Sequence, residues 1–134
     1  MRTIFFAHDR QENPEVRKHM LELAGYEVKL YGSWSLLQKA LEQEPEPSLV
    51  LVDVLLEEKH GFEAARLVCQ RFPERGFPII LCSNVYRPRP FRDEALKAGA
   101  QDYLLLPMAP DEFLRRVNQA IGYFVPPSDK SAVV

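Results

Sequence analysis

The run Leu49-Val50-Leu51-Val52, closed by a single carboxylate at Asp53 and followed by Val54-Leu55-Leu56, constrains the fold of this chain more than any other feature. A strand that is apolar at every position has no solvent face, so it needs cover on both sides, as a parallel strand between two helical layers has. Burying an unpaired carboxylate is costly or drives its pKa up. Asp53 is therefore expected at the strand's end, within reach of water, a cation or a partner.

The rest of the chain supplies matching pieces. Thr3 to Ala7, Glu27 to Tyr31, Pro78 to Cys82 and Tyr103 to Leu106 read as further short strands. Between them lie amphipathic segments. Asn13-Pro14 reads as the start of a helix with Val16, Met20 and Leu23 as its apolar stripe, stopped by Gly25. Ser33 or Ser35 caps a second helix, with Leu37, Ala40 and Leu41 facing inward. Gly61 precedes a third with Phe62, Ala65, Cys69 and Phe72 on one face. Pro88 and Pro90 delay a short fourth, about Phe91 to Ala98, and Pro110-Asp111 opens a fifth with Phe113, Leu114, Val117, Ala120, Ile121 and Phe124 inward. Strands and helices alternating at this spacing predict an α/β fold, a doubly wound five-stranded parallel sheet covered on both faces.

At 134 residues the chain fits one domain over 1–124, with 125–134 expected as a tail or linker. The charge balance, 17 basic against 19 acidic residues, points to neither a nucleic-acid nor a membrane partner. The basic group Arg87, Arg89, Arg92, Lys97, Arg115 and Arg116 reads as solvated surface. Cys69 and Cys82 lie in apolar runs and read as buried thiols of a reducing compartment, so a cytoplasmic location is expected. No stretch approaches the length of a membrane span.

Sheets of this kind place their sites beyond the carboxyl ends of the strands, where strand order reverses. The residues to read are His8-Asp9, Asp53, Ser83-Asn84 and Leu106-Pro107. Asp9 and Asp53 converging there would repel unless a cation bridged them, and hard oxygen ligands suit Mg²⁺. Asp9 capping a loop and Ser83 satisfying a turn remain the plainer alternative. A flavin phosphate loop is excluded because "HDRQEN" is acidic after the first strand. "CSNVYRP" lacks the Cys-to-Arg spacing of a phosphatase loop, and neither His8 nor His60 stands in a cobalamin ligand motif.

Taken together, "LVLVDVLLEEKHGFEAA", "PIILCSN" and "KAGAQDYLLLPM" make residues 2 to 124 resemble the receiver domain of bacterial two-component response regulators. The resemblance implies a flavodoxin-like (βα)5 receiver fold with Asp53 as phosphoacceptor, Gly61 at the family's offset of eight from it, and Ser83 and Tyr103 as the phosphate and switch positions. It also implies a metal site made by Asp9, Asp53 and the backbone carbonyl of Leu55. Partners would be signalling proteins, a histidine kinase or a downstream effector. Contacts, including those of a homodimer, are expected on the face carrying Arg92, Lys97, Tyr103 and Arg115.

Several positions depart from the family pattern. The acidic pair is His8-Asp9, so one carboxylate is missing, and the lysine before the proline is Leu106. Glu57 stands where the family has a proline. Mg²⁺ is therefore expected to bind weakly. Losing one preorganised electrostatic partner commonly costs about 10²–10³ in rate. The expectation is an atypical receiver that acts through protein contacts and is not an enzyme with turnover. The alternative is a conventional receiver, phosphorylated on Asp53 by a histidine kinase and catalysing its own phosphotransfer.

Overall fold

The computed structural model describes residues 2–84 and 88–125, with backbone alone for 88–91. Five strands alternate with five helices: β1 (Thr3–Ala7), α1 (Glu15–Leu23), β2 (Glu27–Tyr31), α2 (Trp34–Gln43), β3 (Leu49–Asp53), α3 (Gly61–Arg71), β4 (Ile79–Ser83), α4 (Pro88–Lys97), β5 (Asp102–Leu105) and α5 (Pro110–Tyr123). All strand pairs are parallel, in the order β2-β1-β3-β4-β5. The expected doubly wound sheet is the one observed.

Side chains alternate across a strand, so each strand feeds two cores. Phe5, Ala7, Val50, Val52, Ile79, Leu81 and Tyr103 pack under α2, α3 and α4. Ile4, Phe6, Leu49, Leu51, Ile80, Cys82 and Leu104 pack under α1 and α5. All of β3 is buried, as its composition requires. By the same alternation Asp53 falls on the α1 side.

Two helices differ from their sequence reading. Val16 and Leu23 are 66% and 75% exposed, while Arg17 and Leu21 are the buried residues of α1. The inward stripe is thus rotated towards a cation. Helix α4 begins at Pro88, three residues before the expected start. Proline lacks only a donor that the first helical turn would leave unpaired, so Pro88 and Pro90 fit inside that turn instead of delaying it. Ser33, of the two candidates, caps α2 by accepting the Leu36 N–H at 3.3 Å. The tail beyond Val125, and Arg87 of the basic group, lie outside the described residues. No described helix is long and apolar enough to cross a membrane.

Candidate functional site at the sheet's carboxyl edge

The strand order reverses between β1 and β3, and the loops leaving these strands bring Asp9 beside Asp53. The Asp9 N–H donates to Asp53 Oδ2 at 2.8 Å, and Asp9 Oδ1 accepts the Gln11 N–H at 2.9 Å. Two constraints fix Asp53 from the other side. Val54 N–H bonds to the Cys82 carbonyl at 2.9 Å, continuing the β3–β4 ladder past the carboxylate. Gly61 N–H bonds to the Val54 carbonyl at 2.7 Å, and a Cβ on Gly61 would sit 2.7 Å from Val54 Cα and 2.8 Å from the Asp53 carbonyl oxygen. The offset of eight between Asp53 and Gly61 is therefore a packing requirement, since α3 starts against the backbone of the β3 end.

The cation at this site comes from α1. Arg17 Nη1 lies 2.6 Å from Asp53 Oδ1 and Nη2 lies 3.0 Å from Oδ2, a bidentate pair with both residues buried. The guanidinium also stacks on the Phe6 ring, 4.5 Å from its centroid, which fixes its plane. Burial alone would lower the Arg17 pKa, but the hydrogen bond and charge of Asp53 outweigh it and hold it above the ordinary value. Arg17 is thus a permanent positive charge. Beneath the pair, burial pushes the Cys82 thiol far up, so it stays neutral.

The remaining expected residues fall as follows. Ser83 is buried at the end of β4, its carbonyl accepting the Leu106 N–H at 2.7 Å. Leu106 lines the cleft as a half-buried apolar residue packed on the α1–α5 core, before a cis peptide to Pro107. His8 turns to its own neighbourhood, with Nδ1 3.3 Å from the Asp9 carbonyl and its ring edge-on to Phe6. Glu57 pairs with Arg10 at 2.9 Å, and Glu58 accepts the Ser35 N–H and hydroxyl at 2.9 and 2.8 Å, tying the β3–α3 loop to the start of α2. Asn84 donates to Glu12.

The fit of a divalent ion can be tested against these atoms. Mg²⁺ demands an octahedral shell and keeps several waters. Both Asp53 oxygens are engaged by Arg17, and among the described residues no three His, Cys, Asp or Glu side chains group to hold a metal. The cleft itself measures ≈10 Å³, about the room of one water. As folded, the residues do not fit a hydrated Mg²⁺.

On the α4–β5–α5 face, Asp102 accepts from Arg92 at 3.0 Å and from Arg116 at 2.6 and 2.7 Å, beside a groove of ≈700 Å³ that Arg115 also lines. Lys97 is exposed on α4. Tyr103 is different: it is 3% exposed and stacks on Phe62 at 6.2 Å, so the expectation of a surface contact there is corrected to a core position.

Sequence reading missed Arg17. The signal was present, because Arg17 stands three and four residues before Met20 and Leu21, the α1 side chains that pack on the core, and an arginine on an inward face calls for a buried carboxylate.

The family model for the response regulator receiver domain matches residues 4–118. The chain is 31% identical over 122 residues to the transcriptional regulatory protein GltR of Pseudomonas aeruginosa, covering 87% of this chain but spanning only 48% of that regulator. It is 30% identical over 104 residues to the chemotaxis protein CheY of Thermotoga maritima, covering 76% of this chain and 82% of that protein. Among solved structures it resembles the receiver domain of a sensor histidine kinase from Pseudomonas aeruginosa, described with a magnesium ion coordinated in its active site cleft. That likeness has a TM-score of 0.77 at 28% identity and covers 90% of this chain and 98% of that one.

Proposed function

The chain belongs to the response regulator receiver family, and within it we propose a domain that signals through protein contacts, not through a phosphoryl group on Asp53. The observation that carries this reading is the bidentate grip of Arg17 on Asp53. An acyl phosphate forms when a carboxylate oxygen attacks phosphorus, and here each oxygen is held by a fixed cation in a cleft of ≈10 Å³. At Leu106 no lysine is available to meet charge on a transferring phosphoryl group, and His8 brings no second carboxylate. The module is accordingly read as a non-enzyme.

Its partners are read as a histidine kinase or a downstream effector in a cytoplasmic two-component pathway, in keeping with free Cys69 and Cys82. The contact surface is assigned to the α4–β5–α5 face, where Arg92 and Arg115 line the ≈700 Å³ groove and Lys97 is exposed on α4. The near-neutral charge supports neither nucleic-acid nor membrane binding by this domain.

One observation favours the conventional alternative, phosphorylation of Asp53 by a histidine kinase. Arg17 and Ser83 line the same cleft, and a guanidinium can hold a phosphoryl group bidentately. Amide spectra recorded with and without beryllofluoride and Mg²⁺ decide between them, beryllofluoride being a tetrahedral stand-in for the phosphoryl group. The proposed reading expects no change spreading from Asp53 to Asp102 and Arg116. Shifts along that whole path would establish the conventional receiver.

A further inference from the structure

We infer that Arg17 is the resident cation of the acidic cleft, a side chain standing where a divalent metal would have to sit, so that the protein blocks its own metal site. This deepens the proposed reading and rests on it for the identity of the cleft, but its test uses neither phosphodonor nor partner.

The cleft needs positive charge whatever its function. Asp9 and Asp53 are joined by a 2.8 Å hydrogen bond from the Asp9 backbone, and Asp53 is 6% exposed, too dry for an unpaired carboxylate. A metal is one solution, and Arg17 is another already in place. Its guanidinium meets both oxygens that a metal would share and is itself 7% exposed. Phe6 lies against its face, and Leu21, one turn along α1, anchors the same stripe in the core. A cation held by a carboxylate and a ring in this way cannot be displaced by a hydrated ion without leaving a buried guanidinium unpaired.

Removing the guanidinium changes each of these terms. Asp53 keeps only the Asp9 N–H, and the volume vacated beside it opens onto Asp9 and the backbone of Leu55, both already at the cleft. Two carboxylates and a carbonyl with room for waters are a hard-oxygen set suited to Mg²⁺ or Mn²⁺. The block therefore predicts a gain of function on mutation.

The experiment follows amide broadening by Mn²⁺ and the Mg²⁺ dependence of Tm in the wild type, Arg17→Met and Arg17→Met/Asp9→Asn. The wild type should show no selective broadening at Asp9, Asp53 and Leu55. Arg17→Met should broaden there, binding Mn²⁺ ~10-fold or more tighter than the wild type, and its Tm should rise with Mg²⁺ as a bound ligand requires. The double variant should lose both effects. If Arg17→Met does not fold, Arg17→Gln, which keeps one donor for Asp53, takes its place. Selective broadening of the wild type as strong as that of the variant overturns the inference, and so does a folded variant indifferent to both ions.

Discussion

Arg17 and Asp53 are 36 residues apart in sequence and meet through two hydrogen bonds, at 2.6 and 3.0 Å, with neither side chain more than 9% exposed. Breaking a buried pair by removing one partner leaves an uncompensated charge and costs about 3–5 kcal/mol. Replacing both partners with apolar residues is often close to neutral. Arg17→Met should therefore lose about that much stability in denaturant unfolding, and Arg17→Met/Asp53→Leu should regain most of it. A single variant within about 1 kcal/mol of the wild type would mean the pair is solvated in solution.

Gly61 and Gly122 should respond to alanine with opposite signs. At Gly61 the added methyl meets the backbone of Asp53 and Val54 at 2.8 and 2.7 Å, and neither can yield without moving the end of β3. Overpacking of this kind typically costs about 1–3 kcal/mol. At Gly122, inside α5, a methyl would meet nothing within 4 Å. Alanine there should add about 0.5–1 kcal/mol through helix propensity. Thermal unfolding of the two variants measures both, and a Gly61→Ala protein as stable as the wild type would contradict the packing argument.

The Asp102 carboxylate gives the domain an acid-sensitive contact. Burial would raise its pKa, but the hydrogen bond from Arg116, the Tyr103 N–H, the Arg116 charge and Arg92 together lower it below the ordinary 3.8. A depressed acid stabilises the fold above its unfolded pKa, and that stability is lost as pH falls through the lower folded value. The Tm difference between wild type and Asp102→Asn should stay constant from about pH 7 to about pH 5, then shrink below about 3.8. A gap that does not change down to the acid limit would show that the network leaves Asp102 unperturbed.

The proposed contact face should act independently of Asp53. Arg92 is 43% exposed while bound to Asp102, and Lys97 is exposed on the same helix. Charge reversal at Lys97 or Arg92 should weaken a captured kinase or effector, whereas Asp53→Asn, which still offers Arg17 an acceptor, should retain it. Equal loss with Asp53→Asn in a folded protein would place Asp53 in control of binding.

Much of this architecture was legible in the residues. The both-faces apolar run of β3 required two helical layers, and it placed Asp53 at the edge where Ser83 ends β4 and Asp9 follows β1. The unread parts share a cause. Val16 and Leu23 looked inward because they are apolar, yet α1 turns Arg17 inward to a carboxylate distant in sequence, a pairing that no local pattern reports. Tyr103 looked like a surface anchor among cations, but strand alternation places it in the layer with Phe62. Pro88 looked like a delay, although the first turn of a helix tolerates proline.

Asp53, held by Arg17, should not take up a phosphoryl group. Incubating the protein with acetyl phosphate and Mg²⁺, then measuring its intact mass, tests this most directly. The wild type should keep its unmodified mass over the time in which a conventional receiver is modified. Stoichiometric addition of one phosphoryl group, absent in Asp53→Asn, would contradict it.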